Sequence, residues 1–351
     1  MTIPYTLASL GWRAFLQQQL SLDEVEHGRP ARVLTVQRSG ITVGDTVGER
    51  HMPLGSRWFT LPAEQRPAVG DWVLLSEQGD SVERVLERVS VFTRVTAGVK
   101  ADLQVIAANV DTLFVVTSCN EEFNPSRLER YLAIALEAGV EPVVILTKAD
   151  LCATPDEFIA AVRGVHKNVA LECINTLDSE AIEGIRAWCT PGHTIALVGS
   201  SGVGKSTLLN SLAGEQRQAT AGIRESDASG RHTTSHRSLH LLPNGALLLD
   251  SPGMRELKIV DAEAGVTEMF DDIGELALLC RFNDCLHEAE PDCAVQAAIA
   301  SGVLDERRLT NYRKLLREQA RHTETIAVQH HRSRQFSKRA KHINAAKDKR
   351  R

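Results

Sequence analysis

A chain of 351 residues with 43% hydrophobic and 24% charged residues has the composition of an ordinary globular protein, with room for two or three domains. Its longest apolar runs, such as Leu113 to Val116 and Pro142 to Leu146, fall far short of the roughly 18 residues of a membrane span, and Leu10 to Leu20 is broken by Arg13 and a glutamine run, so neither a membrane anchor nor a signal peptide is expected. The net charge of −5 hides an asymmetry: Arg307 to Arg351 carries 15 Lys/Arg against 3 Asp/Glu, a basic end on an acidic body that suits a polyanionic partner, the plainer reading being a solvated extension.

In chain order, residues 1–30 form an extension with a helical pattern over Ala8 to Leu20 and an acidic stretch at Asp23 to Glu26. Short β runs follow at Arg32 to Val36, Ile41 to Val43, Asp71 to Leu75 and Val82 to Val89, separated by turn residues such as Ser39-Gly40. Closely spaced short strands over 31–95 predict a small β-barrel. From 96 to 272 strands and helices alternate. Strands are expected at Thr112 to Thr117, Val143 to Thr147, Thr194 to Val198 and Ala246 to Leu249, and helices at Pro125 to Ala138, Pro155 to Gly164 and Ser206 to Leu212. That is a doubly wound α/β domain. Residues 273–351 read as helical, with a Cys/His cluster and the basic tail.

Gly199-Ser200-Ser201-Gly202-Val203-Gly204-Lys205-Ser206, followed by Thr207, fits G-x-x-x-x-G-K-[ST] between a strand and a helix, the context that identifies a phosphate-binding loop. Glycines let successive N–H groups face phosphates, and the helix N-terminus adds its positive dipole. Lys205 is expected on the β- and γ-phosphates, and the Ser206 hydroxyl on Mg²⁺. The base is decided elsewhere. Thr147-Lys148-Ala149-Asp150 ends a buried strand and fits [N/T]-K-x-D. The Asp150 carboxylate can accept from guanine N1–H and from its exocyclic amine, a donor pair adenine lacks, and the Lys148 stem can lie over the purine. Asp250-Ser251-Pro252-Gly253 fits D-x-x-G, with Asp250 holding Mg²⁺ through water and the Gly253 N–H on the γ-phosphate. Gly230-Arg231-His232-Thr233-Thr234 supplies a first-switch threonine, Thr234 or Thr233.

GTP is therefore the expected ligand, but the motif order is unusual. The guanine motif precedes the phosphate loop, so the GTPase domain is circularly permuted, which a sheet whose termini lie close together tolerates. The segment after Gly253 then leads straight into the Cys/His region, and coupling between the two is expected. The residue after Gly253 is Met254, where Ras-like enzymes place a water-orienting glutamine, so intrinsic turnover is expected to be slow. His232, His236 and Arg231 are candidates for placing water or neutralising charge.

Cys280-x₄-Cys285-x-His287-x₅-Cys293 offers three thiolates and an imidazole, suited to a closed tetrahedral structural Zn²⁺ site, with free thiols as the alternative. The other cysteines, Cys119, Cys152, Cys173 and Cys189, are scattered and expected to be reduced.

With this motif order the chain resembles the RsgA/YjeQ family of circularly permuted GTPases, through Ala108-Asn109-Val110-Asp111, Thr147 to Asp150, Gly199 to Thr207, Gly230 to Thr234, Asp250 to Glu256, Cys280 to Val295 and Asn311-Tyr312. The resemblance implies three parts: an N-terminal OB-fold barrel, a permuted P-loop GTPase domain and a C-terminal helical zinc domain, the outer two contacting ribosomal RNA. It also implies action on the small (30S) ribosomal subunit in late maturation, with GTP hydrolysis to GDP stimulated by the subunit, in the cytoplasm and as a monomer. An RNA-binding assembly module, with GTP a ligand and hydrolysis incidental, is the alternative. The chain departs from the family pattern at Thr147, at Ser251 and at Asn175-Thr176, where a Ser-Ala-like loop is usual.

Overall fold

The computed structural model describes residues 5–37, 39–95, 103–213, 237–250 and 262–321. The N-terminal segment is a 3₁₀ turn at Ala8–Leu10 followed by α1 (Ala14–Gln17) and α2 (Leu22–His27). The helical pattern expected over 8–20 is interrupted because Gly11 takes a left-handed φ of 87°. The acidic stretch lies inside α2, where Ser21 and Glu24 form a reciprocal capping box.

Five strands follow: β1 (Arg29–Gln37), β2 (Gly40–Asp45), β3 (Gly48–Met52), β4 (Trp72–Leu75) and β5 (Val82–Val85), with α3 (Ser56–Thr60) between β3 and β4. They pair in the antiparallel order β3-β2-β1-β4-β5, around a core that includes Ala31, Val33, Ile41, Val43, Trp58, Val73 and Leu75. Residues 31–34 of β1 are all buried: Ala31 and Val33 face this core, while Leu34, on the opposite face, packs into the cluster shared with the α/β part. A two-stranded sheet of β6 (Val91–Val95) and β7 (Leu103–Ala108) spans the boundary expected at 95/96.

The α/β part comprises β8 (Thr112–Ser118), α4 (Pro125–Glu137), β9 (Glu141–Thr147), α5 (Pro155–Val165), β10 (Ala170–Cys173), α6 (Ser179–Arg186), β11 (Thr194–Val198), α7 (Lys205–Ala213), β12 (Arg237–Leu241) and β13 (Leu247–Asp250). Across the sheet the order is β10-β9-β8-β11-β13-β12, the first five parallel and β12 antiparallel to β13. Strand β8 has buried side chains on both faces (Leu113, Phe114, Val115, Val116), as a parallel strand between two helix layers must. Leu128, Leu132 and Val162 of α4 and α5 lie in the core on one side; Ile182, Ile185, Leu208 and Leu212 of α6 and α7 lie in the core on the other. Strand β12 also pairs with β1 (Thr35 opposite Ser238), so hydrogen bonding runs unbroken from barrel to α/β sheet.

The C-terminal part holds α8 (Glu263–Met269), α9 (Asp271–Ala277) and α10 (Ala294–Ala300), and a helix over 306–321, α11. Its apolar residues Val266, Phe270, Ile273, Val295 and Leu309 join the same cluster as α4. Arg307 and Arg308, read in the sequence as the start of a basic tail, are ion-paired with Glu129 and Asp272 inside the molecule; residues 322–351 lie outside the described residues. Among the described residues no helix is long and apolar enough to cross a membrane.

Candidate nucleotide site and metal centre

The phosphate-loop motif occupies the turn between β11 and α7. Gly199, Gly202 and Gly204 have φ of 146°, 80° and 93°, and a Cβ on Gly199 would lie 2.2 Å from the Val116 carbonyl oxygen. Glycine is thus required by geometry where the motif demands it. Val203, 1% exposed, pins the loop to the core, while Ser201 and Ser206 face solvent. The Lys205 ammonium donates to the Gly199 carbonyl at 2.9 Å and to that of Ser200, so it lies folded over its own loop.

Strand β9 ends at Thr147, which is fully buried. Its hydroxyl lies 2.6 Å from the Val203 carbonyl and 3.1 Å from that of Thr117. One proton serves only one of them at a time, and the shorter contact is the one to the phosphate loop. Lys148 then takes a left-handed φ of 58°, and Ala149–Leu151 form a 3₁₀ turn that carries Asp150 exposed. Three peptide units separate Thr147 from Asp150, so their Cα atoms are at most about 11 Å apart. The Ala149 N–H donates to the Ile174 carbonyl at 3.3 Å, and Ser211 of α7 donates to the Thr176 carbonyl at 2.8 Å. The loops after β9, β10 and β11 therefore meet at the carboxyl ends of parallel strands, where doubly wound sheets bind ligands.

Asp250 closes β13, opposite Ser238 of β12. Gly230 to Thr234 (with His232, Thr233 and Thr234), His236, Ser251, Gly253 and Met254 lie outside the described residues. One residue at the site was not anticipated: Arg127, in the first turn of α4 behind the Asn124 cap, hydrogen-bonds the Ser200 hydroxyl. Its signal lies in the topology. Strands β8 and β11 are neighbours, with Val198 opposite Val115, so the segment after β8 must flank the phosphate loop.

In the C-terminal part the four metal-ligand candidates converge. One ligand atom from each of Cys280, Cys285, His287 and Cys293 lies within 4.8 Å of all the others. Cys280 Sγ is 3.9 Å from Cys293 Sγ, and each of these sulfurs is 3.5 Å from His287 Nδ1. A tetrahedron with metal bonds of about 2.3 Å to sulfur and about 2.0 Å to nitrogen has edges near 3.8 and 3.5 Å, so the set fits zinc. Burial pushes the Cys280 thiol up, but N–H groups of Val295 and Ala294 bring it below its ordinary value. Burial, then Arg313, lowers the His287 pKa, favouring the neutral imidazole that binds metal. His287 holds a left-handed φ of 61°, and Gln296 of α10 donates to its carbonyl.

The family model for the RsgA GTPase matches residues 85–260. A small ribosomal subunit biogenesis GTPase RsgA 2 of Vibrio parahaemolyticus is 50% identical over 98% of this chain and 94% of its own length. The chain belongs to the RsgA GTPase family. A Mesorhizobium japonicum relative, named small ribosomal subunit biogenesis GTPase RsgA, is 44% identical over 91% of each chain. Among solved structures, YjeQ from Thermotoga maritima superposes with a TM-score of 0.61 (24% identity, 83% of this chain and 98% of that one). YloQ, titled a circularly permuted GTPase, gives 0.57 (23% identity, 85% and 97%). The fold is therefore that of the permuted GTPases. Counted from the phosphate-loop strand β11, the sheet reads 2-3-1-4-5-6, and the chain enters at its fourth strand, β8.

Proposed function

We propose that this chain binds GTP in the crevice between the 199–207 and 147–150 loops and hydrolyses it to GDP and phosphate during maturation of the small ribosomal subunit, in the cytoplasm and as a monomer. The observation that carries the reading is the hydrogen bond between Thr147 and the Val203 carbonyl. It ties a loop built for phosphates to a loop carrying a guanine-selective carboxylate. The ribosomal setting is supported by relatives named for biogenesis of that subunit. The barrel at 31–95 and the module at 273–351 are its surfaces for ribosomal RNA, on either side of the GTPase domain at 96–272.

In this reading the loop N–H groups and the start of α7 bind the phosphates. Lys205 exchanges the carbonyls of Gly199 and Ser200 for β- and γ-phosphate oxygens, supplying positive charge where the transition state needs it. Asp150 accepts from the guanine edge, Lys148 covers the ring, and Thr147 fixes the spacing between base and phosphates. Ser206, and Asp250 through water, would hold Mg²⁺, which would supply positive charge to the phosphates. Thr234 or Thr233 would serve Mg²⁺, and the Gly253 N–H would sense the γ-phosphate. The Cys280, Cys285, His287 and Cys293 set would hold one Zn²⁺, which would play a structural role.

Phosphoryl transfer of this kind depends on positioning and charge. With Met254 after the D-x-x-G motif, unassisted turnover should fall below about 10⁻² s⁻¹. Purified small subunits should raise it at least about tenfold, and Lys205→Ala should abolish both rates. Turnover that ignores the subunit would count against the ribosomal assignment while leaving GTP binding intact.

A further inference from the structure

The first turns of α4 are gripped on two sides. Toward the phosphate loop, Arg127 bonds the Ser200 hydroxyl. Toward the C-terminal part, Glu129 is 0% exposed, and its carboxylate accepts from both terminal nitrogens of Arg307 at 3.0 Å each, from Arg308 at 3.2 Å and from the Asn311 amide. All three donors lie on α11. Arg308 in turn makes two 2.8 Å bonds to Asp272, and Arg130 of α4 makes two 2.7 Å bonds to Glu318 of α11. Helix α8, the first element described after β13, crosses α4 so closely that a Cβ on Gly265 would lie 2.1 Å from the Ala133 carbonyl oxygen.

A buried carboxylate held by two guanidinium groups has little freedom, because moving either partner strands a charge away from water. Arginine forks also fix direction as well as distance. Helix α4 therefore has to move with α11, and Arg127 carries that movement to Ser200 in the phosphate loop. We propose that α4 is a relay between the metal-bearing C-terminal module and the bound nucleotide, with Arg127 as the positioning residue. A partner that displaces the module changes how long nucleotide is retained, and by reciprocity the nucleotide changes affinity for that partner. The proposal rests on the reading that the 199–207 loop holds the phosphates.

The test is the dissociation rate of a fluorescent GDP analogue from the full chain. Arg127→Ala and Ser200→Ala should each speed release by about fivefold or more, and the double variant should be no faster than either. Arg127→Lys should keep most of the wild-type rate. Arg307→Ala, at a side chain 35% exposed, should speed release in the wild-type background but not on top of Arg127→Ala. Where that variant does not fold, Arg307→Lys, which keeps the charge and loses the fork, takes its place. An Arg307 variant that lowers Tm but leaves release unchanged, or speeds it equally in both backgrounds, overturns the relay. Additive effects of Arg127→Ala and Ser200→Ala overturn the positioning role. A wild-type chain that binds no GDP analogue overturns the site reading and the relay together.

Discussion

Thr147 stands where an asparagine is commoner, and its surroundings set its hydroxyl against two distant carbonyls. A fully buried hydroxyl bridges toward carbonyls 30 and 56 residues away, at Thr117 and Val203. No string pattern reveals such a partner. The motif was legible from residue identity and its place at a strand end, while the hydrogen bond that gives the first residue its purpose was not. Replacing Thr147 by valine keeps the shape and leaves the Val203 carbonyl without this donor, at a cost of about 1–3 kcal/mol. GTP affinity measured by calorimetry should weaken by roughly five- to a hundredfold if that cost falls on the bound state. Thr147→Asn, whose amide has two protons to offer, should bind at least as tightly as wild type. An unchanged affinity in the valine variant would show that the bond does not set the spacing between the two loops.

At the scale of elements, long and strongly patterned segments were readable. Strand Thr194–Val198 matches its expectation residue for residue, and α4 differs by one residue at its end. The segments that escaped were short or carried little contrast. Strand β10 is four residues, all half-buried, and among the described residues β6 and β7 pair only with each other. The Cys/His spacing was readable because three cysteines and a histidine within fourteen residues are rare, yet their convergence depends on a left-handed His287 that the sequence does not announce. Helices α9 and α10 are seven residues each, too short to persist alone in water. The protein should therefore contain one zinc per chain, and a strong chelator should remove it with loss of helical circular dichroism while the α/β sheet persists. A chain that keeps its full helical signal after metal loss would rule out the structural role. At the other end, hydrogen bonds from Arg84, then the Ser21 amide, hold the Glu24 carboxyl down to about 2. A depressed carboxylate stabilises above its ordinary value of 4.5 and loses that contribution as pH falls toward 2. Glu24→Gln should therefore flatten the acid limb of a stability–pH curve, and an unaltered limb would show that the pair contributes nothing.

For the whole molecule, motif order in the sequence was enough to reveal the permutation, since the guanine motif at 147–150 precedes the phosphate loop at 199–206. What the order did not disclose is how the parts are joined. Strand β1 of the barrel extends the GTPase sheet through β12, and arginines that read as the start of a basic tail are consumed in a clamp on Glu129. Both are contacts between distant segments of ordinary composition, invisible until the fold places them. The two loops of the proposed nucleotide site are likewise segments about fifty residues apart that meet because β9, β8 and β11 lie side by side. The central claim, that these segments form one guanine-nucleotide site, is tested most directly by the base preference of Asp150→Asn. An amide in place of the carboxylate should weaken GTP binding by about a hundredfold or more and favour xanthosine triphosphate, whose edge presents a carbonyl where guanine presents an amine. Equal affinities of wild type and variant for both nucleotides would contradict it.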